Sequence, residues 1–144
     1  MKFVYDDGGR LEAGFKGSTG DCVTRALAIA TQQSYQTIYD LLNEHAQSER
    51  MTKRMKKRSN ARTGVVTRRK WFEDYMTSIG WGWTPTMLIG QGCKVHLRDG
   101  ELPMGRLMVN VSRHYTTVID GVIHDTYDPS RDGTRCVYGY WSKI

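Results

Sequence analysis

The chain has 144 residues, 39% of them apolar and 25% charged, with a formal net charge of +6. That is enough chain for one domain to bury a core without staples, and no run of about 18 apolar residues offers a membrane span. The charge is uneven: ten of the 21 Lys and Arg residues fall between Arg50 and Lys70, with no acid among them, and leave the rest of the chain at −4.

The N-terminus, Met-Lys-Phe-Val-Tyr-Asp-Asp, carries acids where a signal peptide has its apolar core. Three cysteines, an odd number without paired spacing, argue against a disulfide framework and for a reducing compartment. The expectation is a single cytoplasmic domain over residues 1–144, with a basic surface segment at about 50–70.

In chain order, Phe3 to Tyr5 reads as an edge strand, followed by a loop from Gly8-Gly9 to Phe15. The stretch Gly17-Ser-Thr-Gly-Asp-Cys22 supplies turn and N-cap chemistry. From Val23 to Ala30 the apolar residues run nearly all the way round a helix, as in a segment buried centrally. Cys22 therefore sits in the first helical turn, where free amides and the helix dipole favour a thiolate. Ser34 reads as the N-cap of a second helix reaching about Ala46, with Ile38, Leu41 and Leu42 on one face. Arg50 to Arg62 has no apolar periodicity and reads as a solvated, mobile charge run. A third helix is expected from about Val65 to Ile79, on Trp71, Phe72, Tyr75, Met76 and Ile79, ending at Gly80.

Strands follow. Trp81 to Pro85, Leu107 to Val111, Tyr115 to Ile119, Val122 to Thr126 and Thr134 to Trp141 all read as extended, and Asp120-Gly121 is a hairpin turn. Helices first and an antiparallel sheet afterwards indicate an α+β fold.

The hairpin fixes a partner for the thiol. If Asp120-Gly121 is a two-residue turn, alternation places His114, Thr116, Val118, Ile123, Asp125 and Tyr127 on one face, and His124 and Asp128 on the other. His114 and Asp125 are then diagonal neighbours. A carboxylate there orients an imidazole and favours its charged form, and such a histidine activates a thiol. His45 and His96 read as surface residues. Neither Cys93 with His96 nor His124 with Cys136 matches a structural zinc spacing, so neither metal nor cofactor is expected.

Gly-Asp-Cys22-Val-Thr-Arg-Ala, Ser-Arg-His114-Tyr-Thr-Thr-Val and Val-Ile-His-Asp125, in that order, resemble the papain-like cysteine hydrolases in a small bacterial or phage form. The nearest likenesses are the peptidase domains of bacteriocin exporters and cell-wall amidohydrolases of the NlpC type. The resemblance implies a cysteine on the first buried helix, a histidine on a late strand and a third residue on the next strand. It implies Cys22 as nucleophile, His114 as general base and then acid, and Asp125 as its orienter. The glutamine that such enzymes place before the cysteine is missing from Phe15-Lys16-Gly17-Ser18-Thr19. The Cys22 amide and one of Lys16, Ser18 or Thr19 are left as oxyanion donors.

The expected activity is hydrolysis of an amide bond in a peptide or isopeptide; deamidation and acyl transfer would use the same groups. The partner is a protein or peptide substrate, an acidic one if the basic segment steers it. The rival readings are a nucleic-acid-binding protein built on the basic segment, and a papain-like scaffold that binds without catalysis.

Overall fold

A computed structural model describes residues 1–16, 19–55 and 57–144. Gly17 and Ser18 of the expected turn, and Lys56 of the basic run, lie outside the described residues. The described elements are β1 (Lys2–Tyr5), α1 (Cys22–Thr31), α2 (Tyr35–Gln47), α3 (Lys70–Ser78), β2 (Trp81–Pro85), β3 (Arg106–Val111), β4 (His114–Ile119), β5 (Val122–Asp125) and β6 (Val137–Lys143). The fold is α+β, and the strands form one sheet in the order β1-β5-β4-β3-β6-β2.

Every residue of α1 from Val23 to Ala30 is buried, as its nearly continuous apolar surface requires. Its alanines allow close approach to β4, and Thr117 Oγ1 donates to the Ala26 carbonyl at 2.7 Å. Leu27, Ile38, Phe72 and Met76 from the three helices meet Met108, Tyr115 and Trp141 on that side of the sheet. A second cluster covers the reverse side, where Leu107, Val109, Val111, Val118, Ile123 and Val137 pack with Leu97. Val137 and Trp141 have the same parity yet serve opposite sides, because the β3–β6 register shifts between Asn110 and Val111. One extra residue in a strand inverts the alternation beyond it.

Ser34 caps α2 as expected, its hydroxyl accepting from the Thr37 amide at 3.1 Å. Asp120 and Gly121 have φ of 47° and 79°, the two positive values that a type I′ hairpin turn needs. The pairs Ile119–Val122, Val118–Ile123 and Thr117–His124 follow in the expected register.

Four expectations are corrected. The sheet is mixed, because β1 runs parallel to β5 and Asp6 continues the ladder by donating to the Asp125 carbonyl at 2.8 Å. A short apolar run carries no direction, and this one docks on the free edge of β5. The third helix begins at Lys70 and not at Val65, since the Val66 amide is turned to Ser59 Oγ.

The basic segment is also not solvated throughout. Arg58 donates to the carbonyls of Ala46, Gln47 and Glu49 at 2.6, 3.2 and 2.9 Å, closing the C-terminal end of α2. Ala61 is buried, with its amide on Asn43 Oδ1 and its carbonyl receiving Thr24 Oγ1 from α1. Backbone groups, which composition ignores, pin a charged stretch here.

Finally, Cys93 and Cys136, 43 residues apart, form a disulfide. It ties the 86–105 loop to the strand that the loop already meets through Val137 N donating to the Val95 carbonyl at 2.8 Å. No helix among the described residues is long and apolar enough to cross a membrane.

Candidate active site

Cys22 is the free cysteine and the first residue of α1. The residue before it does not cap the helix with its side chain, contrary to the sequence expectation. Asp21 turns inward and is almost wholly buried, accepting from the Arg25 guanidinium and from Tyr35 Oη at 2.6 Å, with Arg10 Nε at 3.4 Å. Burial and that carboxylate together push the Tyr35 hydroxyl well above its ordinary pKa.

His114 opens β4 and Asp125 closes β5, so the hairpin brings them together at the end away from its turn. Asp125 Oδ2 lies 2.7 Å from His114 Nε2, and both side chains are buried. The Asp125 carboxylate also accepts from the Thr126 amide at 2.7 Å. With Nε2 engaged, Nδ1 is the ring nitrogen left for another partner. Tyr127 packs on the imidazole with ring centroids 5.1 Å apart. His124 lies elsewhere, with Nδ1 3.6 Å from Asp6 Oδ2, and Asp128 folds into a local turn by accepting from the Ser130 amide. His124 and Asp128 are thus kept away from His114, as the alternation expects.

The three groups perturb one another in a consistent direction. Burial works against a Cys22 thiolate. A hydrogen bond to His114, the charge of that ring, the Tyr115 amide and the Arg25 charge outweigh it and hold the thiol below its ordinary pKa. Burial likewise disfavours a His114 cation, but hydrogen bonds to Asp125 and Cys22, with their charges, raise the imidazole above its ordinary value. Asp125 is lowered by His114 against its own burial. Each shift moves the group in the direction of a thiolate beside an imidazolium held by a carboxylate.

An open cleft of about 520 Å³ exposes the pair. Its lining includes Thr19 and Gly20 ahead of α1, and Thr63, Gly64, Val65 and Thr67 of the docked basic segment. Gly20 is needed at this junction, because a Cβ there would stand 2.7 Å from the Thr63 carbonyl oxygen. Thr19 Oγ1 is buried without a hydrogen-bond partner among the described residues and lines the cleft. Of the other oxyanion donors expected from sequence, Ser18 lies outside the described residues. Lys16 is exposed, and its carbonyl receives Arg62 Nη2 at 3.3 Å.

Arg25 was missed in the sequence. It bridges two buried acids, with Nη1 on Asp21 and Nη2 3.6 Å from Asp125 Oδ1. The signal was present: a single cation inside an otherwise apolar helix is rarely buried without a carboxylate partner. Among the described residues no group of three or more His, Cys, Asp or Glu is placed to hold a metal. Comparison with protein-family models, curated proteins and solved structures finds no match to this chain.

Proposed function

We propose that the protein is a cysteine-dependent hydrolase of amide bonds in a peptide or isopeptide, with a papain-like arrangement of its parts. The observation that carries this reading is the buried contact of His114 with Asp125 beside a thiol whose pKa is lowered by the same histidine.

The Cys22 thiolate attacks the carbonyl carbon, and the carbonyl π electrons move to oxygen. The Cys22 amide and the unpartnered Thr19 hydroxyl are the donors for that oxyanion. The intermediate collapses as His114 gives its Nδ1 proton to the leaving nitrogen, so the amine departs neutral and a thioester remains. Water then attacks the thioester while His114 takes a proton, and the acid is released with the thiolate–imidazolium pair restored. Asp125 keeps Nε2–H in place throughout and offsets the imidazolium charge.

The test is covalent capture. Peptidyl acyloxymethyl ketones, which alkylate activated thiols, are expected to label Cys22 in the folded protein and not in the unfolded one. His114→Gln is expected to abolish the labelling. Labelling of folded protein no faster than that of unfolded protein would leave a binding scaffold as the better account.

A further inference from the structure

The lining of the cleft includes Arg25 and Arg113 and no acid; Arg25 is buried and paired with Asp21 and Asp125, so the exposed Arg113 is the cation presented to a ligand. The docked segment adds to this charge. Exposed Arg62 and Arg68 flank the 63–67 wall, and Lys57 Nζ stands 3.8 Å from where a Cβ on Gly64 would be. A second hollow of about 190 Å³ adjoins the cleft and shares Thr67, Asn110 and Tyr115 with it. Trp83 and Trp141 line that hollow, with Arg68 and Glu73 beside them. The two cavities are thus neighbours, with Thr67, Asn110 and Tyr115 between the Cys22 cleft and the Trp83–Trp141 hollow.

We propose that the two cavities together bind an acidic polypeptide in extended form, with carboxylates on either side of the scissile amide set against Lys57, Arg113 and Arg68. The role of the bound chain as substrate rests on the hydrolase reading, but its binding does not. Neighbouring cavities with neutral polar groups at Thr63, Thr67 and Asn110 suit a peptide backbone, and the surrounding cations draw carboxylates to them. Glu73, beside Trp83 and Trp141, suits an apolar or basic residue at that end, which a polypeptide can supply and a continuous run of phosphates cannot.

The experiment uses Cys22→Ala protein, so that binding is read without turnover. Fluorescein-labelled glutamate-rich, neutral and lysine-rich peptides of equal length are compared by anisotropy with a single-stranded oligonucleotide. The glutamate-rich peptide is expected to bind tightest. Its affinity is expected to fall about tenfold or more between about 0.05 and about 0.5 M salt. The Lys57→Gln/Arg68→Gln/Arg113→Gln variant should bind it about tenfold more weakly at low salt, with an unchanged circular dichroism spectrum.

Equal binding of the neutral peptide, no binding of any peptide, or an unaffected triple variant overturns the proposal. So does tighter binding of the oligonucleotide that the triple variant loses, which would assign the two cavities to nucleic acid. Labelling of Cys22 by the ketone probes is scored separately, so failure of the acidic-peptide proposal is not confused with failure of the hydrolase reading.

Discussion

Asp125 Oδ2 lies 2.7 Å from His114 Nε2 across the β4–β5 hairpin, while Asp128, three residues further on, is committed to a turn with Ser130. Asp125→Asn should therefore reduce turnover of an amide substrate by about 100-fold or more, because it upsets both the tautomer and the charge of His114. Asp128→Asn should leave turnover nearly intact. Steady-state kinetics on the two variants check the ranking, and the reverse order would break the assigned relay.

The pH dependence of alkylation should follow the same relay. The iodoacetamide rate at Cys22 should rise with pH at a midpoint below that of an ordinary thiol, since His114 lowers the thiol pKa. His114→Gln removes the leading cause of that lowering and leaves burial, so the midpoint should move to the ordinary value or above it. Stability should respond at both ends. The Asp125 contribution is full above the unfolded carboxylate pKa and is lost as pH falls through its lowered folded value. The His114 contribution is full below the unfolded imidazole pKa and is lost as pH rises through its raised folded value. Urea unfolding across pH reads both limbs.

Arg25 holds two buried carboxylates. Arg25→Gln leaves Asp21 and Asp125 short of a cation, and should cost about 3–5 kcal/mol of stability by urea unfolding. Arg25→Lys should recover part of it, since one ammonium cannot span both acids as a guanidinium does. A neutral effect would mean that Arg10 and His114 suffice.

Alkylation without reductant, followed by mass measurement, should modify Cys22 alone, because Cys93 and Cys136 are joined. Cys93→Ser/Cys136→Ser should lower stability by about 2–4 kcal/mol through the lost loop closure and leave the Cys22 alkylation rate unchanged. A coupled loss of Cys22 reactivity would mean that the 86–105 loop supports the site from behind the sheet.

Gly20→Ala should disturb the wall of the cleft, because the added methyl meets the Thr63 carbonyl oxygen at 2.7 Å and must displace backbone. A cost of about 1–3 kcal/mol is expected, with slower labelling of Cys22 by the ketone probes. Unchanged stability and labelling would show that the 63–67 wall yields freely.

Periodicity and turn chemistry made part of this protein readable from its neighbours in sequence. Val23 to Ala30 specify a buried helix because no polar stripe interrupts them, and Cys22 at its start follows. Asp120-Gly121 sets the hairpin because both residues accept positive φ, and a period of two then carries His114 to Asp125 without further information. The tertiary structure alone decided the direction of β1, the Cys93–Cys136 bridge, the docking of residues 58–67 beside Cys22 and the Arg25 link between Asp21 and Asp125. Much of this rests on backbone groups that every residue carries, such as the Ala61 carbonyl that receives Thr24. Local patterns cannot register such bonds, because their partners meet only when distant stretches of chain are brought together.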